Sequence, residues 1–279
     1  MIEDQIWLDS VIRMALEEDL GAGDLTTDAI IDRGKMGKAA LETQERIVLA
    51  GLPVFSRVFN LLSSEIEFVD HYEDSQLIPA GEVICHLSGS LPYILRAERT
   101  ALNFLQRMSG IATLTREYVA KAGSEKVKIL DTRKTAPGLR LLDKYAVRMG
   151  GGFNHRLGLF DGILIKDNHI TAAGSIAEAV NLAKKNAPHT IKVEVEAEDL
   201  AGVETAITAG ADAILLDNMS PDEIRKAVEL VDGRVMVEAS GGINLENIEE
   251  IACTGVDLIS VGALTHSARA VDISLEVIS

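Results

Sequence analysis

Ala213-Ile-Leu-Leu-Asp-Asn-Met-Ser-Pro-Asp-Glu-Ile-Arg-Lys-Ala-Val-Glu-Leu-Val-Asp-Gly-Arg-Val-Met-Val-Glu-Ala-Ser-Gly-Gly242 is one strand–helix–strand repeat, and its reading decides the fold. An apolar run over 213–217 stops at an aspartate. Ser220-Pro-Asp-Glu223 then has the form of a capping box with proline at the first helical position. A second apolar run, 234–238, leads into Ala239-Ser-Gly-Gly242. Strands apolar on both faces belong in a parallel sheet covered by helices. The alternation recurs, with further strand candidates at 127–131, 162–166, 191–195 and 258–262. Ser175-Ile-Ala-Glu178 reads as another capping box, and Asn244 as the cap of a helix through Ile251. Repeated βα units make a barrel or a doubly wound sheet. A barrel is favoured because polar residues collect at the C-terminal end of strand after strand.

Those ends carry Asp131-Thr-Arg-Lys134, Lys166-Asp-Asn-His169, Glu194, Asp217-Asn218, Ser240-Gly-Gly242 and Gly262-Ala263. In a parallel barrel all six converge on one rim, where the active site belongs. The glycines after the last two strands suit a phosphate cup built of backbone N–H groups. Arg133, Lys134, Arg140, Lys144, Arg148, Arg156 and Lys166 face only Asp131, Asp143 and Asp161 between positions 131 and 166, which suggests an anion pocket. Arg140, Lys144 and Arg148 share one helix face and include solvated surface. Arg133, Lys134, Arg156 and Lys166 lie at strand ends or in the loop Gly150-Gly-Gly-Phe-Asn-His-Arg156, where bare backbone can approach a ligand. Glu194 and Asp217 in such a pocket imply Mg²⁺ shared with a polyphosphate and a sugar diol. Glu196, of the same side-chain parity, competes with Glu194. His155 and His169 are rim candidates as donors to a carboxylate.

Ahead of this series, Leu8, Val11, Ile12, Ala15 and Leu16 have helical spacing, ended by Gly21-Ala-Gly-Asp24. Short β-like runs at 46–50, 66–69 and 82–87 follow, then a helical stretch over 97–122 in which Gly110 suggests a bend or break. A chain of 279 residues with 47% hydrophobic and 25% charged content has enough apolar material for a sizeable core. A net charge of −16 argues against nucleic acid or an anionic membrane as partner. No apolar run reaches the ~18 residues of a membrane span. The start, Met1-Ile-Glu-Asp4, lacks the basic region of a secretory signal, and Cys85 and Cys253 match no metal spacing. A cytoplasmic chain with free thiols is expected.

Several stretches resemble the quinolinate phosphoribosyltransferase family: Glu18-Asp-Leu-Gly-Ala-Gly-Asp-Leu-Thr-Thr27, Glu98-Arg-Thr-Ala-Leu-Asn103, Ser109-Gly-Ile-Ala-Thr113, Asp131-Thr-Arg-Lys-Thr-Ala-Pro-Gly-Leu-Arg140, Gly150-Gly-Gly-Phe-Asn-His-Arg156, Leu164-Ile-Lys-Asp-Asn-His169, Leu215-Leu-Asp-Asn218, Glu238-Ala-Ser-Gly-Gly242 and Val261-Gly-Ala-Leu-Thr-His266. The match runs in order over residues 17–272. It implies an α/β protein with an N-terminal α/β sandwich domain (1–108, joined by the C-terminal tail 268–279) and a TIM-like α/β barrel of fewer than eight strands (109–267). It also implies a homodimer with shared active sites, in which Arg99 of one subunit serves the other's barrel. By resemblance, Arg99, Arg133, His155, Arg156 and Lys166 surround quinolinate, and Lys134 joins Arg133 and Lys166 near the pyrophosphate. Glu194 and Asp217 hold ribose hydroxyls and Mg²⁺, so that Lys134, Glu194 and Asp217 are the catalytic candidates. Ser240, Gly241, Gly242, Gly262 and His266 cup the 5′-phosphate of phosphoribosyl pyrophosphate.

The chemistry so implied is attack of the pyridine nitrogen on the anomeric carbon, loss of pyrophosphate, and decarboxylation of the quaternised ring, giving nicotinate mononucleotide. It needs two anions held face to face in a cationic site rather than a covalent nucleophile. Three other readings stay open on the sequence. They are a sibling transferase with another acceptor, a Schiff-base aldolase using Lys134 or Lys166, and a phosphate-ligand sensor on a barrel.

Overall fold

Six parallel strands in the order β6-β11-β10-β9-β8-β7 form the sheet that carries the candidate site. They are β6 (Lys128–Leu130), β7 (Ile163–Ile165), β8 (Val193–Ala197), β9 (Ala213–Asp217), β10 (Met236–Ser240) and β11 (Leu258–Ser260). The computed structural model describes residues 5–124 and 126–278. Strands consecutive in sequence are neighbours, except that β6 and β7 are the two ends of the sheet. Beside β6, the Phe153 N–H donates to Ile129 O at 2.8 Å and the Asp131 N–H to Phe153 O at 3.1 Å. The segment leading to β7 thus takes one rung of a missing strand. The result is an incomplete TIM-like barrel of fewer than eight strands, as the sequence predicts.

Between these strands the helices begin where their caps require. Ser220 and Glu223 bond reciprocally at the start of Pro221–Val231. Ser175 accepts the Glu178 N–H at the start of Ile176–Asn186, without the reciprocal bond of a full capping box. Asn244 does not start a helix: its Oδ1 accepts the Glu246 and Asn247 N–H groups in a turn, and the helix is Ile248–Ala252.

Two strands begin two residues later than their apolar runs. The Ile191 N–H is held in a turn by Pro188 O, and β8 starts where the Val193 N–H meets the Asp212 carboxylate at 2.8 Å. Arg234 turns back to the Val231 carbonyl, and β10 starts near the matching contact between the Val237 N–H and Asp257, also 2.8 Å. Apolar runs show which residues are buried; the aspartates show where the ladders begin.

The described residues cluster in two compact units. The barrel unit comprises Glu117–Lys134 and Gly152–His266; the other comprises the residues up to Arg116, Thr135–Gly151 and the chain from Ser267. The latter contains a four-stranded antiparallel sheet, β12-β1-β5-β3, built from β1 (Met36–Thr43), β3 (Glu67–Asp70), β5 (Val83–Ser90) and the last strand β12 (Ile273–Ile278), with a small pair β2 (Ile47–Val48) and β4 (Leu77–Ile78). Helix Gln5–Leu20 buries Leu8, Val11, Ile12 and Leu16, the stripe expected of it. Helix Leu52–Leu62 lies in a region read only as short β-like runs; Phe55 and Phe59 on it are fully buried and pack at 4.9 Å between ring centroids.

Gly110 does not break its helix, which runs continuously over Leu91–Ala122. The glycine is there for closeness: a Cβ would stand 2.0 Å from the Arg269 carbonyl oxygen. Gly110→Ala is therefore expected to destabilise this unit by about 3 kcal/mol, the upper end of overpacking costs, despite alanine's better helix propensity. Thermal unfolding checks it, and an unchanged or raised Tm would refute the close-packing account. Of the three basic residues on helix Arg140–Met149, Arg148 is exposed, Arg140 half-buried and Lys144 fully buried. Beside Lys144, Asp143 accepts two bonds from Arg107 at 3.0 and 2.8 Å and one from the Ala136 N–H at 3.0 Å.

Candidate active site

The C-terminal ends of the barrel strands surround a cavity of about 570 Å³. Arg133 and Lys134 line it after β6, His155 and Arg156 from the loop before β7, and Lys166 after β7. Glu196 comes from β8, Asp217 and Asn218 from the end of β9, and Ser240, Gly241 and Gly242 from the end of β10.

The loop is held by a buried acid. Asp131 accepts from Asn154 Nδ2 at 2.5 Å and from the His155 N–H at 2.9 Å. Arg156 donates through Nη1 to the Gly162 carbonyl at 2.9 Å, which aims a half-buried guanidinium along the wall. Its pKa is lowered, first by burial and then by the Arg133 charge, against the pull of Glu194, Asp161 and Glu196. Two guanidinium groups close enough to perturb one another make a site for anions.

Lys166 forms an ion pair with Glu196, and the Asp167 N–H bonds the other Glu196 oxygen at 3.3 Å. His169 turns away from the cavity, its Nδ1 accepting the Lys166 N–H at 2.9 Å at the start of helix Asp167–Ala173. Asn218, at φ +55°, donates to Asp217 Oδ2 at 2.8 Å. Gly241 has φ +88°, and a Cβ there would stand 2.2 Å from Asn218 Oδ1 and 2.8 Å from its backbone nitrogen. No other residue fits that turn. At Gly262 a Cβ would stand 3.1 Å from both Lys134 Cδ and His266 Nε2, so any side chain there would press on those two groups. Thr265 Oγ1 donates to the Lys134 carbonyl at 2.8 Å, tying the two strand ends together.

Three expected site residues are placed differently from the rest. Arg99 is exposed on helix Leu91–Ala122, in the other unit. His266 reaches the cluster of strand ends through its contact with Gly262. Glu194 is the second residue of β8 rather than its end, so Glu196, not Glu194, lines the mouth cavity.

Glu194 lies off the mouth cavity and meets two residues of its lining, His155 and Glu238. His155 Nε2 lies 3.2 Å from Glu194 Oε2 and 3.6 Å from Glu238 Oε2. The ligand atoms of His155, Glu194 and Glu238 fall within 4.8 Å of one another, an arrangement able to coordinate a metal ion. Glu238 is 1% exposed, and neither carboxylate oxygen has a hydrogen-bond partner among the described residues. Burial, then the neighbouring Glu194 charge, push its pKa up to about 7, with His155, the nearby Ser260 hydroxyl and Lys166 pulling the other way. Sequence reasoning gave Glu238 no role. Its signal is a carboxylate two residues before Ser240 on a run otherwise apolar, so that both face the interior.

Family models for the quinolinate phosphoribosyl transferase N-terminal and C-terminal domains match residues 24–109 and 111–276. The chain is 46% identical over 260 residues to a probable nicotinate-nucleotide pyrophosphorylase (carboxylating) of Bacillus subtilis, covering 93% of this chain and 90% of that protein. It is 43% identical over 275 residues to the nicotinate-nucleotide pyrophosphorylase (carboxylating) of Mycobacterium leprae, covering 95% of each. The crystal structure of NadC from Streptococcus pyogenes superposes with a TM-score of 0.94 at 44% identity, covering 98% of this chain and 97% of that one. The nicotinate-nucleotide pyrophosphorylase structure from Francisella tularensis gives 0.92 at 45%, covering 98% and 96%.

Proposed function

The chain belongs to the quinolinate phosphoribosyltransferase family, and from that premise we propose how its barrel mouth does the chemistry. It is an enzyme that transfers the phosphoribosyl group of phosphoribosyl pyrophosphate to quinolinate with loss of CO₂, giving nicotinate mononucleotide and pyrophosphate, a step of NAD biosynthesis. The aldolase and sensor readings fall away with family membership.

The observation that carries the residue assignment is the pairing of Arg133 with a half-buried Arg156 in the mouth of a chain with net charge −16. Cations concentrated there oppose the repulsion between a dicarboxylate and a polyphosphate. Arg133, His155 and Arg156 surround quinolinate, joined by Arg99 of a second subunit in a homodimer with shared sites. Lys134 and Lys166 flank the pyrophosphate. Ser240, Gly241 and Gly242, with Gly262 and His266, cup the 5′-phosphate through backbone N–H groups that the glycines leave uncovered. The pyridine nitrogen is held in line with the anomeric carbon, and the cationic wall stabilises the departing pyrophosphate. After transfer, the positive ring nitrogen stabilises the electron pair left at C2 by CO₂ loss, and that pair takes up a proton from solvent to give the C2–H of the mononucleotide. A cytoplasmic location fits the two unpaired cysteines, Cys85 buried and Cys253 exposed.

For the ribose diol and Mg²⁺ we assign Glu196 with Asp217 rather than Glu194 with Asp217, because Glu196 lines the mouth. Carboxylate oxygens beside a polyphosphate suit a hard cation better than a cluster that includes the His155 imidazole. Bound there, Mg²⁺ supplies charge neutralisation to the pyrophosphate. Incubation with quinolinate, phosphoribosyl pyrophosphate and Mg²⁺ should release CO₂ and form the mononucleotide in equal amounts, and excess chelator should abolish both. Full turnover in chelator would remove the metal from the assignment; no turnover of quinolinate under any condition would remove the acceptor.

A further inference from the structure

We propose that Glu238 is a positioning residue: from inside the barrel it holds the His155 ring in one orientation and one tautomer, and through the ring it fixes the backbone that carries Arg156. This rests on the reading of Arg156 as a quinolinate ligand. The starting observation is a carboxylate 1% exposed with neither oxygen hydrogen-bonded among the described residues. Such a group is costly to bury and demands an explanation.

Its surroundings supply one. On one side of the His155 ring, Nδ1 accepts the Arg156 N–H at 2.6 Å. That bond assigns the ring proton to Nε2. On the other side, Nε2 faces Glu194 Oε2 at 3.2 Å and Glu238 Oε2 at 3.6 Å. A flipped ring would present carbon to both carboxylates and lose the Arg156 N–H, so two acids on one side select one orientation. The strut then runs from β10 through the ring to the Arg156 backbone. At its far end the guanidinium is braced again by the Gly162 carbonyl at 2.9 Å. Glu194 Oε2 is the nearer acceptor, and the more deeply buried Glu238 backs the same edge of the ring, so the two carboxylates together set where it can sit. In this arrangement His155 shapes the quinolinate pocket by holding its neighbour.

The test begins with histidine-ring nitrogen NMR of the intact enzyme, with the six histidines resolved by substitution. His155 is expected as the Nε2–H tautomer, unchanged by excess chelator. Glu238→Leu should mix the tautomers and raise the quinolinate KM by about tenfold to a hundredfold, as small misplacements at a site do. The KM for phosphoribosyl pyrophosphate should stay within about twofold, since only acceptor binding is touched. Glu238→Gln, which keeps the side chain's size and a polar oxygen facing Nε2–H, should recover most of the loss. An Nδ1–H or doubly protonated ring in the parent enzyme overturns the proposal. So does a signature lost on chelation, which would give the cluster to a metal, or an equal rise in both KM values. The parent spectrum decides even if Glu238→Leu does not fold. A parent with the expected tautomer and no turnover of quinolinate would refute the functional reading and leave the strut standing.

Discussion

Arg156→Ala raises the KM for quinolinate by about thirtyfold to several thousandfold, corresponding to ~2 to 5 kcal/mol for removing one partner of a desolvated charge pair, and barely changes the KM for phosphoribosyl pyrophosphate. The guanidinium is half-buried, lines the cavity and is anchored by one nitrogen to Gly162, and its planar set of donors is a fork. A fork matches a carboxylate with two parallel bonds, and quinolinate has two carboxylates to offer. Arg156→Lys keeps the charge without the fork and should fall between the parent and the alanine variant. Removing Arg156 also relieves its repulsion with Arg133, which offsets a little of the loss. Steady-state kinetics with each substrate varied separately makes the test. Equal losses for both would transfer Arg156 to the phosphate side of the site.

Activity should return when Arg99→Ala subunits are mixed with Lys134→Ala subunits, each inactive alone, and in an equal mixture about a quarter of all sites should work, as two-fold symmetry requires. The reasoning is combinatorial. If Arg99 serves the partner's barrel, a mixed dimer has one site lacking both residues and one keeping both. Random exchange makes half the dimers mixed, and half of their sites are intact. If Arg99 serves its own barrel, every site in every dimer carries one lesion and nothing returns. Lys134 is a fair probe because it lines the cavity at the end of β6, whereas Arg99 lies in the other unit. Exchange must be demonstrated by mass spectrometry. With exchange shown and activity absent, the shared site is abandoned.

Much of the barrel is legible in the sequence because its signals are local. The Ser220-Pro221-Asp222-Glu223 box places a helix start within one turn, and β9 occupies the apolar run read for it. What escapes the sequence is decided by contacts between distant segments. Asp212 and Asp257 set where β8 and β10 begin, and a two-residue shift exchanges Glu194 for Glu196 at the mouth. Gly110 looks like a helix breaker until the Arg269 carbonyl is seen against it, 159 residues along the chain, from Arg269 less Gly110. Glu238 hides in an apolar strand because its partner, His155, lies on a loop that no periodicity describes. Residue chemistry at the rim is readable, and the depth at which each group sits is not.

The place of β12 has a consequence for how the protein is made. Thr43 near the end of β1 pairs with Ile273 at the start of β12, and β1 lies between β12 and β5 in the finished sheet. A nascent chain can form the β1–β5–β3 ribbon early, yet one edge of β1 stays open until nearly the whole barrel has been translated. An open edge is a template for another chain, so crowded polysomes put this sheet at risk of intermolecular pairing. Closing it last, by the pairing of greatest sequence separation in this sheet, makes completion of the sheet a slow, late event of biosynthesis.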